Sequence, residues 1–262
     1  MSSSPLHGLM ILLVLLPAIT QPIHGGSNMH ANANDQIKTS NAEYEYRYMA
    51  SKLQNNNDIP SGGARPAGPY LILTGTTFAD IGSNSSLQLS KFSISAWFRT
   101  NMNIPFGNEI FIVKKGELGL EDPGTNLNYG IWMTSSETLS AGFEITNGTN
   151  YYIHSRVPYN NYQWHHVVAT YDGTVLRLYI DGVQVVKSLI TDGATPDNTG
   201  TDPLRVGAES SLVEILPRDN FVGNIDEVRV WNRALSIGEI GNGYKTGTFN
   251  TTGQVVYLPF EQ

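Results

Sequence analysis

Cysteine is absent from the 262-residue chain, which excludes a disulfide framework, a thiolate metal site and a cysteine nucleophile. Charge is scarce as well: 15% of the residues are Asp, Glu, Lys or Arg, and 16 basic against 23 acidic residues leave a formal net charge of -7. With no basic stripe to neutralise phosphates, nucleic acid and anionic membrane surfaces are disfavoured as partners. Long apolar runs are missing. The run Leu9–Leu16 falls well short of the ~20 residues of a spanning helix and has the length of a secretory signal core. The residues before it contain no Lys or Arg, so the charge that usually orients insertion is lacking. The expectation is a secreted protein with a signal peptide over 1–25 and no membrane span after cleavage; left uncut, the segment is a short anchor. No Gly-x-Ser-x-Gly elbow occurs, and His165-His166 lacks the spacing of a metal-binding helix, so triad and metalloprotease chemistry have no sequence basis.

What is present points to β structure. Glycine numbers 26 and tyrosine 13, the mix of a turn-rich all-β chain. The stretch Trp164 to Val186 reads as three strands and two tight turns, with Asp172-Gly173 and Asp181-Gly182 supplying two-residue hairpin turns and Leu176, Leu178 and Ile180 alternating with polar neighbours. Residues 26–69 lose apolar periodicity and read as a flexible linker. Within it, 40–53 fits a short helix by the Ser40/Glu43 capping spacing, or a strand by Tyr44, Tyr46 and Tyr48 at period two. The folded domain is expected over 70–262. Strands are predicted at 70–73, 92–99, 110–113, 129–133, 139–145, 151–154, 204–206, 221–231 and 255–260, with a turn or two of helix after Ser236. About a dozen short strands without βαβ alternation argue for a two-sheet antiparallel jelly-roll sandwich, with Ile94, Val168 and Val228 sharing its interior.

Four ordered motifs carry a resemblance: Phe92-Ser93-Ile94-Ser95-Ala96-Trp97-Phe98, Trp164 to Asp172 (Trp-His-His-Val-Val-Ala-Thr-Tyr-Asp), Leu178-Tyr179-Ile180-Asp181-Gly182, and Gly223 to Ser236 with Ile225-Asp226-Glu227-Val228 at its centre. In order and spacing they resemble the LamG-like jelly-roll domains of the concanavalin A-like lectin/glucanase superfamily. The resemblance covers about 70–262 and implies two curved antiparallel sheets. Its relatives include laminin G modules, pentraxins and glycan-active enzymes, so it does not fix one activity. It also implies a structural calcium held by hard oxygen ligands. Asp226 and Asp80 are the candidates for a single ion. Asn108 and Glu209 match pentraxin ligand positions, where Gly107 and Ser211 replace acids and argue that the double-calcium site is degraded. The pentraxin bridging cysteines fall at Ser95 and Val168.

Glycoside hydrolysis needs two carboxylates about 5 to 10 Å apart. The Glu-x-Asp-x-x-Glu strand of the related glucanases is absent, while Asp226-Glu227 and Glu121-Asp122 are adjacent pairs that alternation sends to opposite faces. His165 and His166 read as packing residues, one on each sheet surface. Of the four tryptophans, Trp97, Trp164 and Trp231 read as core. Trp132 with Tyr129 is the candidate sugar platform, because Asn126 to Gly130 reads as loop leading into strand. Three acceptor sequons, at Asn84, Asn147 and Asn250, lie in turn-like contexts and are used only if the protein is exported through a glycosylating pathway. The expected function is a non-catalytic recognition module for carbohydrate or glycoprotein. A polysaccharide hydrolase or lyase and a structural adhesion protein are the alternatives.

Overall fold

The computed structural model describes residues 65, 67–118, 125–207 and 220–260, together with the backbone of a strand at Leu12–Leu15. The expected signal peptide and linker, the possible helix at 40–53, the pair at 121–122 and Glu209 lie wholly or mainly outside the described residues.

Alternation of apolar residues builds fourteen strands into two antiparallel sheets. In the first sheet, β1 (Leu12–Leu15) is followed in space by β3 (Thr77–Asp80), β12 (Leu204–Val206), β5 (Glu109–Lys115), β6 (Tyr129–Thr134), β7 (Thr138–Glu144) and β8 (Asn150–Pro158). In the second, β11 (Val183–Leu189), β10 (Val175–Ile180), β9 (His165–Tyr171), β4 (Phe92–Arg99), β13 (Val222–Trp231) and β14 (Gln254–Leu258) lie side by side, and β2 (Leu71–Thr74) pairs with the first half of β13. The inward set includes Ile94 and Phe98 of β4, Ile131 of β6, Phe143 of β7, Leu178 of β10 and Val228 of β13, all in one buried core. Aromatic rings bridge the two layers: Phe143 lies 4.5 Å from Tyr171 by ring centroids, and Phe92 lies 5.6 Å from Tyr129.

The β9–β10–β11 meander forms as expected, with one difference in its turns. Asp181 and Gly182 both take positive φ, 52° and 77°, as a two-residue turn of that hand requires. The first connection spans Asp172, Gly173 and Thr174 instead, and only Gly173 has positive φ. Asp172 Oδ1 accepts from the amides of Thr174 and Val175, each at 2.8 Å, and that side-chain cap favours the longer turn.

Val168 departs from the expectation. Its neighbours Val167 and Ala169 point into the main core, so Val168 points to the opposite face and joins Tyr179, Trp231, Leu235, Ile240 and Phe249. That second cluster exists because the helix α1 (Ile237–Thr246) lies on the outer surface of the second sheet. Register sets Ser95 directly opposite Val168.

Helix α1 begins at a reciprocal capping box between Ser236 and Glu239, reinforced by Arg233 at 2.6 Å from Glu239 Oε1, and ends at Gly247 with φ 72°. Ile240, Gly243 and Tyr244 face the sheet. A Cβ on Gly243 would sit 2.2 Å from the Phe249 ring, whereas one on Gly241 would meet nothing within 4 Å. Gly241→Ala therefore stabilises the protein by about 0.5–1 kcal/mol through helix propensity, and Gly243→Ala destabilises it by about 1–3 kcal/mol despite the same gain in propensity. Urea denaturation of the two variants measures both signs.

Candidate functional site

The expected platform of Tyr129 and Trp132 offers no ring to a ligand. Tyr129 is already within β6, where alternation sends it into the core; it is fully buried and its hydroxyl donates to the Leu87 carbonyl at 3.1 Å. Burial pushes its phenol pKa upward. Trp132 does lie on the outer face of the first sheet, but Phe111, Leu127 and Leu118 pack around it and leave 1% of it exposed. Its indole lies close enough to Glu109 to oppose the upward pKa shift that burial imposes on that carboxyl, although Nε1 completes no hydrogen bond.

The residues named for calcium do not converge. Asp80 belongs to the first sheet and is bound to Arg205 at 3.2 Å and to the Gly82 amide at 2.8 Å. Asp226 belongs to the second sheet and is bound to Arg65 at 2.5 Å. Asn108 stands before β5, away from both in the strand order. Among the described residues no three His, Asp or Glu side chains gather to hold a cation. Asp226 and Asp80, on different sheets and each bound to its own arginine, do not fit one shared calcium ion. Millimolar calcium should leave the melting temperature unchanged relative to chelator; a rise would move the ion to residues such as Glu209, because a ligand that binds only the folded state must stabilise it.

Asp226 and Glu227 share one face of the second sheet, contrary to strict alternation. The β4–β13 register slips between Asp226 and Arg229, and Glu227 takes φ 53°, so the strand bulges and turns Glu227 toward the side chains of Arg229 and Tyr257. Each carboxylate is bound to its own arginine, Arg65 for Asp226 and Arg229 for Glu227. Burial raises the Asp226 pKa to about 6, while Arg65 and the Glu227 amide act against the shift and the Glu227 charge adds to it.

Where α1 stops, no other described helix covers the outer face of the second sheet. Register places Ile72 of β2 opposite Asn224 of β13, and Asn224 opposite Arg99 of β4. The β4–β9 pairing, which sets Phe98 opposite His165, brings Trp164 beside Arg99. The row Ile72, Asn224, Arg99 thus crosses three strands and ends at Trp164, just ahead of β9. Tyr70 meets the Trp164 ring edge-on at 5.4 Å. The Arg65 guanidinium lies 4.7 Å from the Trp164 centroid, and that of Arg99 lies 5.1 Å from it and 4.9 Å from Tyr162.

Tyr162 projects at the end of this row, 53% exposed, with φ 62°. Its amide donates to the Thr100 carbonyl at 2.8 Å, and Asn161 Oδ1 accepts from the Gln163 amide and meets His165 Nε2 at 3.0 Å, so the turn is held from both sides. A non-glycine residue in the left-handed region costs about 1–3 kcal/mol and persists where the surroundings impose it. Phe106, on the β4–β5 connection, is wholly exposed. The aromatic pair at this edge is therefore Tyr162 with Trp164, whereas Tyr129 and Trp132 are buried. Trp164 was expected in the core; the run Tyr159-Asn160-Asn161-Tyr162-Gln163-Trp164, polar and aromatic ahead of a strand, is the signal that could have found the pair.

The two histidines divide as expected between the sheet surfaces. His165 Nδ1 lies 2.8 Å from Asp181 Oδ2. His166 lies under α1 against Trp97, Tyr244 and Phe249, with Nε2 3.0 Å from Ser95 Oγ and Nδ1 without a partner. Burial pushes its pKa from the ordinary 6.5 down to about 3, with Asp181 opposing and Arg229 assisting. The unfolded chain takes up this proton below about pH 6.5 and the folded one does not until about pH 3, so stability is lost as pH falls through that window. His166→Phe removes the liability. The stability of the wild type relative to this variant should fall by at least about 1 kcal/mol between about pH 7.5 and about pH 4.5, as read by chemical denaturation.

All three sequon asparagines are exposed, and each side-chain oxygen folds back onto its own sequon: Asn84 to the Ser86 amide, Asn147 to the Thr149 amide, Asn250 to the Thr252 amide. No helix among the described residues is long and apolar enough to cross a membrane.

Two antiparallel sheets closed on one core, with a helix on one outer face, define an all-β jelly-roll sandwich. The chain belongs to the concanavalin A-like lectin/glucanases superfamily: the laminin G family model of that superfamily matches residues 73–241. Among solved structures, the CBM40 domain of Ruminococcus gnavus IT-sialidase, bound to α2,3-sialyllactose, aligns with a TM-score of 0.50 at 15% identity, over 67% of this chain and 96% of that one. Domain 4 of AbnA, an extracellular GH43 arabinanase from Geobacillus stearothermophilus solved with arabinotriose, gives 0.49 at 16% identity, over 70% and 79%. The heptameric SAP-like pentraxin of Limulus polyphemus gives 0.44 at 14%, over 70% and 78%. At such identities the likeness establishes the fold alone. No curated protein matches the chain.

Proposed function

We propose that this protein is an exported, non-catalytic carbohydrate-recognition module that binds glycans on the open row of its second sheet. The observation that carries this reading is Tyr162: a ring held half in solvent by a constrained turn and braced by Arg99, whose guanidinium is itself bound to the Asn224 amide oxygen. A rigid aromatic face flanked by a few fixed polar groups binds without first having to order itself. The CBM40 domain solved with sialyllactose is built on the same fold, which supports a saccharide as the ligand. Export rests on the Leu9–Leu16 segment, and the exposure of Asn84, Asn147 and Asn250 suits glycans placed at those sites. The partner is then a carbohydrate or a glycoprotein. A single shallow row gives modest affinity, so clustered ligands raise it.

A glycan array identifies ligands, and Tyr162→Ala should weaken their binding at least about tenfold while the melting temperature stays unchanged. Undiminished binding by this variant would remove the row from the function. Incubation with a polysaccharide panel should yield no new reducing ends; their appearance would make the protein an enzyme.

A further inference from the structure

Resting on that reading, we infer that the row formed by Asn224, Arg99 and Tyr162 selects anionic saccharides, those carrying a carboxylate or sulfate, with Arg99 as the specificity-determining residue.

The inference starts from which polar atoms are already committed. A guanidinium has five N–H donors and no acceptor. Arg99 uses Nε and Nη2 on a single oxygen, Asn224 Oδ1, at 3.2 and 3.0 Å. The orientation of the Asn224 amide is therefore fixed, because only its oxygen can face donors. Arg99 Nη1 makes no hydrogen bond to a described residue. The group left for a ligand is thus a charged donor on Arg99, which is the complement of an oxyanion and a poor match to hydroxyls, which also need acceptors.

Charge points the same way. Arg65 is neutralised by Asp226 at 2.5 Å. Arg99 has no carboxylate partner among the described residues; it is bound to a neutral amide and stacked against Tyr70, Tyr162 and Trp164. The patch keeps a net positive charge in a chain whose formal net charge is -7. Aromatic stacking also fixes the plane of the guanidinium, so little freedom is lost when its edge takes a carboxylate or sulfate. A basic edge adjoining an exposed tyrosine ring suits a sugar whose acidic substituent projects beside an apolar ring face.

The test is titration of matched ligand pairs by calorimetry at low salt: lactose against α2,3-sialyllactose, oligogalacturonate against its methyl ester, and a sulfated against an unsulfated galactose oligosaccharide. At least one acidic member should bind about tenfold or more tighter than its neutral mate. That preference should shrink with added salt and disappear in Arg99→Gln, but persist in Lys245→Gln, which removes an exposed cation elsewhere. The identity of the pair that discriminates separates carboxylate from sulfate recognition. If Arg99→Gln melts early, the methyl ester and the salt series on the wild type decide the matter. Equal affinity for neutral and acidic members overturns this inference and leaves the proposed recognition module standing. Absence of binding by every ligand, on a glycan array as well, overturns both.

Discussion

The second sheet is covered on its outer face for only part of its width, and most of what is particular to this protein follows from where that cover ends. Tyr244 of α1 stacks on Trp97 at 5.7 Å and on His166 at 6.0 Å, which removes both from water. Two residues further along β4 and just ahead of β9, Arg99 and Trp164 stand on the same face with no helix among the described residues above them. Two rows of a single sheet thus face opposite environments. The first becomes a dry second core in which a histidine stays neutral; the second stays a wet surface rich in rings and guanidinium groups. A helix one turn longer in that direction would erase the candidate site.

The fold was largely legible in the sequence. Phe92–Arg99 and Leu204–Val206 form strands with the predicted limits, because clean alternation at a buried position leaves no other choice. The strand Thr77–Asp80 was not foreseen: Thr-Phe-Ala-Asp shows little alternation on its own and is extended because Leu12–Leu15 and Leu204–Val206 pair with it. Helix α1 runs longer than expected. Gly238, Gly241 and Gly243 lower its intrinsic propensity, and Ile240 and Tyr244 packing on the sheet restores what they take away.

The site was much less legible, for a physical reason. Alternation states which residues share a face, but not whether that face is later roofed. Trp97, Trp132 and Trp164 all point away from the main core; Trp97 and Trp132 are buried by residues remote in the chain, while Trp164 is only half-buried, beneath Arg65 and against Tyr70. The same blindness applied to Asp226 and Glu227. Period-two counting separates them, and a bulge, which depends on pairing across strands, brings them to one side. The acids read as calcium ligands were identified by type and position, whereas their fate was set by Arg65 and Arg205, which no local pattern links to them.

Arg65 and Arg99 show how charge is apportioned on the open row. Both guanidinium groups lie against the Trp164 ring, and two like charges that close repel unless one is compensated. Asp226 compensates one of them. It is buried enough that its pKa rises to about 6, and its ionised form is held chiefly by Arg65, which carries the chain ahead of Tyr70 onto the sheet. The carboxylate is thereby consumed at the inner end of the row. Glu227, the next acid, is bound to Arg229 and Tyr257 on the far side of the bulge. Among the described residues nothing acidic remains for Arg99, and its charge lies beside Tyr162. The bulge in β13 is what gives Arg229 its own acid, because in regular alternation Glu227 would leave this face and Arg229 would lose its partner.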